Sequence, residues 1–240
     1  MLSYEEASDK VIVALDCDRA RALELAELLS GRARWVKVGM TLFYAEGPVV
    51  VDDLRARGLS VFLDLKIYDI PFQVQGAVRA ASLTGADLLS IHGLGASAMI
   101  RAARAGAEEA AFERDGARTR LLAISVLTSM GARALAEVGI FDPLPREVSR
   151  LAALSHSAGA DGLVCSPQEA ARMRSLLGPE ALIVCPGVRP AGSAFADQRR
   201  VATPSQALAA GASQLVVGRP IAGAADPAGA FDAICAELMA

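Results

Sequence analysis

Eight short aliphatic or β-branched runs, spaced by stretches of helical length, constrain this chain more than any other feature. They are Val11–Leu15, Trp35–Val38, Val61–Leu65, Leu88–Ile91, Leu121–Val126, Gly162–Cys165, Leu182–Cys185 and Gln214–Val217. Between them lie segments with apolar residues three to four apart, such as Ala20–Leu29, Val49–Ala56, Val74–Leu83 and Ala207–Ala210. Apolar strands that alternate with helices imply parallel pairing, because a parallel sheet needs crossover helices to cover its faces. Gly31, Gly58, Gly85, Gly159, Gly178 and Gly211 fall where such helices should stop, the position at which a left-handed backbone is wanted. No Pro/Ser-rich linker divides the 240 residues. The expectation is an α/β fold, a (β/α)8 TIM barrel forming a single domain over residues 1–240. The competing open doubly wound sheet would carry Gly-x-Gly-x-x-Gly after its first strand. Here that position reads Asp16-Cys17-Asp18-Arg19, without glycine.

Charge and composition narrow the function. A net charge of −3 offers no basic field for a polyanion, so no nucleic-acid partner is expected. No apolar run nears the ~18 residues of a membrane helix, and the acidic, polar N-terminal segment is unlike a targeting peptide. Cys17, Cys165, Cys185 and Cys235 are scattered without C-x-x-C spacing; reduced thiols and a cytoplasmic location follow as expectations, with no metal site. Of the 24 basic residues only Lys10, Lys37 and Lys66 are lysine. Where arginine is this favoured, a retained lysine marks a place arginine does not fill. The ammonium can transfer its proton and the guanidinium cannot.

Barrel enzymes place their chemistry at the C-terminal ends of the strands. Asp16, Lys37, Asp64 and Lys66 fall there on the first three runs. A strand period of two puts Asp64 and Lys66 on one face. That spacing fits either a structural ion pair closing the barrel mouth or a reactive pair in a partly dry site.

Asp64-Leu-Lys66-Ile-Tyr-Asp69-Ile-Pro71 resembles the D-x-K-x-x-D-I-P signature of the orotidine 5′-phosphate decarboxylase family. The resemblance extends to Val13–Asp16, Lys37-Val-Gly39, Leu127-Thr128-Ser129-Met130, Cys185-Pro-Gly-Val-Arg189, Asp197-Gln-Arg-Arg200 and Val217-Gly-Arg-Pro220. It implies cofactor-independent decarboxylation of orotidine 5′-phosphate to uridine 5′-phosphate in pyrimidine biosynthesis. By the same resemblance Lys66 is the proton donor, in an array of Lys37, Asp64, Lys66 and an Asp69 contributed across a homodimer interface. Asp16 and Lys37 would meet the ribose, Asp64 the substrate carboxylate and Thr128 the pyrimidine. Arg189, Gln198, Gly218 and Arg219 would hold the phosphate, with Pro190–Ala196 as a lid. The family usually continues Asp-Ile-Pro with Asn-Thr, whereas this chain has Phe72-Gln73; Gln73 would take the place of a threonine that touches the neighbouring ribose. Tyr68 stands where histidine is common and is expected to face away from the substrate.

Two other readings compete. A Mg2+-dependent sugar-phosphate decarboxylase or aldolase of the same superfamily needs an acidic ligand near strand two, where Lys37 stands. A non-catalytic phosphate-binding barrel would have no need of the four charged positions. His92 is read as a structural histidine, His156 as solvent-facing, and Gly93-Leu-Gly95 as a turn.

Overall fold

The computed structural model describes residues 1–190 and 202–240. Eight parallel strands close into a barrel in chain order. They are β1 (Val11–Ala14), β2 (Trp35–Gly39), β3 (Ser60–Ile67), β4 (Leu88–His92), β5 (Arg120–Ile124), β6 (Gly162–Val164), β7 (Leu182–Pro186) and β8 (Gln214–Val217). Closure is made by β1 against β8, with Val13 opposite Val217. All eight apolar runs of the sequence form strands, and the six helix-stopping glycines all adopt positive φ, from 71° at Gly31 to 109° at Gly159.

Period-two alternation sorts the strand side chains into two cores. Ile12, Ala14, Trp35, Phe62, Leu88, Leu122, Val184 and Val216 fill the barrel. Their neighbours, such as Val11, Val13, Val36, Val61 and Leu63, pack outward against the helices. Both sides of the sheet are therefore apolar, which is why the strands read as unbroken hydrophobic runs.

Two of the helices begin three residues earlier than apolar spacing indicates, while that at Val49 begins where expected. The helix expected from Val74 starts at Pro71, because proline suits the first helical position. The helix expected from Ala207 starts at Pro204 behind a Thr203/Gln206 capping box. A short N-terminal helix, Tyr4–Asp9, leads into β1, and Trp35 Nε1 donates to Asp9 Oδ1 at 2.9 Å. Among the described residues, no helix is long and apolar enough to cross a membrane.

β3 departs from regular geometry where the charges cluster. Leu63 pairs with Leu89 and Ile67 with Ile91, so four steps along β3 match two along β4. Lys66 lies inside this bulge with φ 51°, a left-handed backbone that costs a non-glycine residue about 1–2 kcal/mol. Such bulges re-aim side chains beside active sites.

Candidate active site

β1 ends at Ala14, and Asp16 stands two residues beyond it rather than closing the strand. Lys37 projects from β2 and is buried. Its Nζ lies 3.0 Å from Asp16 Oδ1 and 3.6 Å from Asp64 Oδ2. Lys66 Nζ lies 2.8 Å from Asp64 Oδ1. The result is a continuous chain of alternating charge, Asp16–Lys37–Asp64–Lys66, drawn from three adjacent strand ends. Asp64 and Lys66 do meet, but β3 is not a regular strand there: the bulge and the left-handed Lys66 backbone intervene between them.

Asp64 is the most enclosed carboxylate of the group, its side chain 14% exposed. Burial is the largest single influence and pushes its carboxyl up. The ammonium groups of Lys37 and Lys66, with hydrogen bonds from Lys66 and Ser90, outweigh it and hold the carboxyl below its ordinary value. Asp64 thus stays ionised, flanked by two ammonium groups, and the lysines are fixed in direction.

The array separates two spaces. On one side is a cleft of about 400 Å3 lined by Leu15, Asp16, Cys17 and the Gly39–Leu42 segment. On the other is a chamber of about 180 Å3 over the barrel axis, walled by Phe62, Ile124, Val126, Val164, Val216 and Thr128. Lys37, Asp64 and Lys66 line both. Gly39 keeps the first cleft open, since a Cβ there would come 3.3 Å from Asp16 Oδ1 and 3.4 Å from Lys37 Nζ. Gly218 borders the same group from β8: a Cβ on it would be 3.8 Å from Asp16 Oδ2. It caps the short helix Arg219–Ala222, so Arg219 lies at the rim. Arg189 is buried on the segment after β7, where Val188 bridges to Ala202.

Asp69 and Gln73 lie apart from the array. Both are exposed, and Asp69 Oδ1 accepts from the Ile70 N–H at 2.6 Å. Among the described residues, Asp69 pairs with neither Lys37 nor Lys66 of its own chain. Gln198, Asp197, Arg199, Arg200 and the segment 191–196 lie outside the described residues.

One side chain joins the site without having been singled out for it by sequence reasoning. Ser90 of β4, fully buried, accepts from the Lys66 N–H at 2.8 Å and donates to Asp64 Oδ1 at 2.9 Å. The signal was a lone hydroxyl inside the aliphatic run Leu88-Leu-Ser-Ile. Tyr68, largely exposed, lies beside His92 with ring centroids 5.6 Å apart and planes tilted by 37°. His92 Nδ1 accepts from the Leu94 N–H at 3.3 Å, in keeping with a structural histidine; burial first and the Lys66 charge second push its pKa down. His156 is exposed, and Gly93–Gly95 forms a single 3-10 turn.

A closed (β/α)8 barrel with lysine and aspartate alternating at the C-terminal mouth around a buried Lys37 defines a barrel enzyme built to stabilise negative charge. Residues 9–234 match the family model described as Orotidine 5′-phosphate decarboxylase / HUMPS family. Over 232 residues the chain is 48% identical to an orotidine 5′-phosphate decarboxylase of Anaeromyxobacter dehalogenans, covering 96% of this chain and 99% of that one. Against the enzyme of that name from Moorella thermoacetica the identity is 48% over 234 residues, covering 97% and 93%. The crystal structure of orotidine 5′-phosphate decarboxylase from Lactobacillus acidophilus superimposes with a TM-score of 0.86 at 36% identity, covering 97% of this chain and 100% of that chain. The chain belongs to the orotidine 5′-phosphate decarboxylase / HUMPS family.

Proposed function

We propose that this protein decarboxylates orotidine 5′-phosphate to uridine 5′-phosphate, with Lys66 as proton donor. The observation that carries the reading is the contact of Lys66 Nζ with a largely enclosed, ionised Asp64, at the boundary between a polar cleft and an apolar chamber. A pyrimidine in the chamber lies against Thr128, and its ribose reaches Asp16 and Lys37 across the array. The phosphate extends toward Gly218, Arg219 and Arg189, with Gln198 as a further contact. Arginine suits that end because its planar fork binds two oxygens of a dianion together.

The carbon–carbon bond to the carboxylate breaks, CO2 leaves, and the electron pair stays on the ring carbon. The Lys66 ammonium opposes that charge as it forms and then gives up a proton to make the new C–H bond. The neutral amine regains its proton from solvent. Arginine would supply the charge without the proton. The competing sugar-phosphate reading is disfavoured by Lys37, an ammonium engaged with two carboxylates where that chemistry requires an acidic ligand.

The enzyme acts as a homodimer in this reading, in which the partner's copy of Asp69 completes each array. Support comes from exposed apolar side chains around Asp69: Tyr44, Tyr68, Ile70 and Phe72, the last 81% exposed. Tyr44 and Tyr68 border a groove of about 660 Å3 shared by Lys66 and Asp69. Exposed apolar patches of this kind mark association surfaces. Gln73 lines the same groove, where its amide meets the neighbouring ribose.

Loss of the orotate ultraviolet band on mixing purified protein with orotidine 5′-phosphate and EDTA tests the assignment. Turnover is expected. Turnover only on adding Mg2+, or binding without turnover, would overturn it.

A further inference from the structure

Ser90 stands where β3 and β4 lose register, the single β4 residue between the pairs Leu63–Leu89 and Ile67–Ile91. Opposite it, the extra length of β3 carries Asp64, Leu65 and Lys66, and the register gives Lys66 no partner residue on β4. The Ser90 hydroxyl takes that place, accepting from the Lys66 N–H at 2.8 Å while donating its one hydrogen to Asp64 Oδ1 at 2.9 Å. A hydroxyl combines donor and acceptor in one atom. Alanine would leave an amide and a carboxylate oxygen short of a partner in a fully buried place.

Building on the decarboxylase reading, we propose that Ser90 is a positioning residue: its hydroxyl ties the left-handed Lys66 backbone to the Asp64 carboxylate and so fixes the direction of the Lys66 ammonium. Asp64 Oδ1 receives Lys66 Nζ and Ser90 Oγ together, and its other oxygen faces Lys37. Around this carboxylate stand Lys37 from β2, Lys66 from β3 and Ser90 from β4. Asp16 lies beyond Lys37, and His92 ends β4 beside Tyr68. Ser90 is the uncharged member that holds two of the charged ones by separate bonds. Without it the bulge can relax toward regular pairing and Lys66 loses its aim, while the residues assigned to the phosphate are untouched.

Ser90→Ala is expected to lower kcat about 10- to 100-fold, the scale of a hydrogen bond to a charged group. KM should change less than about threefold. The acid limb of the pH–kcat profile should move up toward the ordinary carboxylate range as Asp64 loses a donor. Ser90→Thr should restore most of the rate, and Ser90→Val, which has the branched shape of threonine without its hydroxyl, should not. The Thr/Val pair keeps the test valid if the smaller side chain disturbs folding. Equal rates for Thr and Val, an unmoved acid limb, or a rate loss that simply follows a lowered Tm would make Ser90 merely structural and overturn the proposal. Carbon NMR titration of Asp64 in the parent and in Ser90→Ala reads the same contact without substrate. An unchanged Asp64 titration therefore defeats the role of Ser90, whereas an inactive parent chain defeats the decarboxylase assignment.

Discussion

Replacing Lys66 by alanine should remove turnover and leave the fold and phosphate binding in place. Lys66 Nζ sits 2.8 Å from a carboxylate oxygen, which shows how closely this ammonium approaches negative charge in the site. A full charge developing on the substrate carbon at about 3 Å, with an effective dielectric of about 20, is attracted by roughly 5–6 kcal/mol. Losing that interaction alone slows the step by about 10^4, and losing the proton donor compounds it. Asp64 retains Lys37 at 3.6 Å and the Ser90 hydroxyl at 2.9 Å, so the variant does not strand a lone buried charge. Alanine also adopts the left-handed position no more reluctantly than lysine. The assay is single-turnover kinetics followed in the ultraviolet, with calorimetric binding of uridine 5′-phosphate and thermal melting alongside. Expected are a kcat at least about 10^4-fold down, product affinity within a few-fold and a nearly unchanged Tm. A kcat within about 100-fold of the parent would refute Lys66 as the proton donor.

Three further outcomes follow from the same geometry. If Asp69 acts across a dimer interface, Lys66→Ala and Asp69→Ala chains are each inactive, but mixing equal amounts with subunit exchange should restore about a quarter of parental activity, since half the dimers then carry one intact site; no recovery despite proven exchange would place Asp69 in its own chain's site. The Asp64 carboxyl is held low by its lysines after burial is overcome, so kcat should stay flat down to about pH 4 and decline only below it; a limb near pH 6 assigned to Asp64 would contradict the array. Asp161 accepts from Arg118 and from the Leu121 N–H, and these contacts outweigh the larger effect of burial and keep its carboxyl low. Its stabilisation is complete above the unfolded pKa near 4 and disappears as pH falls through the lower folded value, so Asp161→Asn should cost about 3 kcal/mol at pH 7 and progressively less in urea unfolding at lower pH.

The sequence on its own determined the architecture, because the physics behind it is local. Buried parallel strands must be continuously apolar, as at Leu121–Ile124, and a left-handed helix stop favours glycine, as at Gly85 and Gly178. The charged motif Asp64-Leu-Lys66, read with the rarity of lysine, left a structural ion pair and a reactive pair both open, and the chemistry came from the resemblance of Asp64–Pro71 to the decarboxylase family. Only the tertiary structure decided how those charges meet. Strand periodicity put Asp64 and Lys66 on one face, but the contact is made across a bulge with Lys66 at φ 51°, a conformation no local preference of lysine favours. It is sustained by Ser90, 24 residues away along the chain, and by Lys37 from the other neighbouring strand. Which hydroxyl lies opposite a bulge, and which carboxylate a buried ammonium reaches first, depends on the register between strands. That register is fixed when the barrel closes and the core packs, and no single segment contains it.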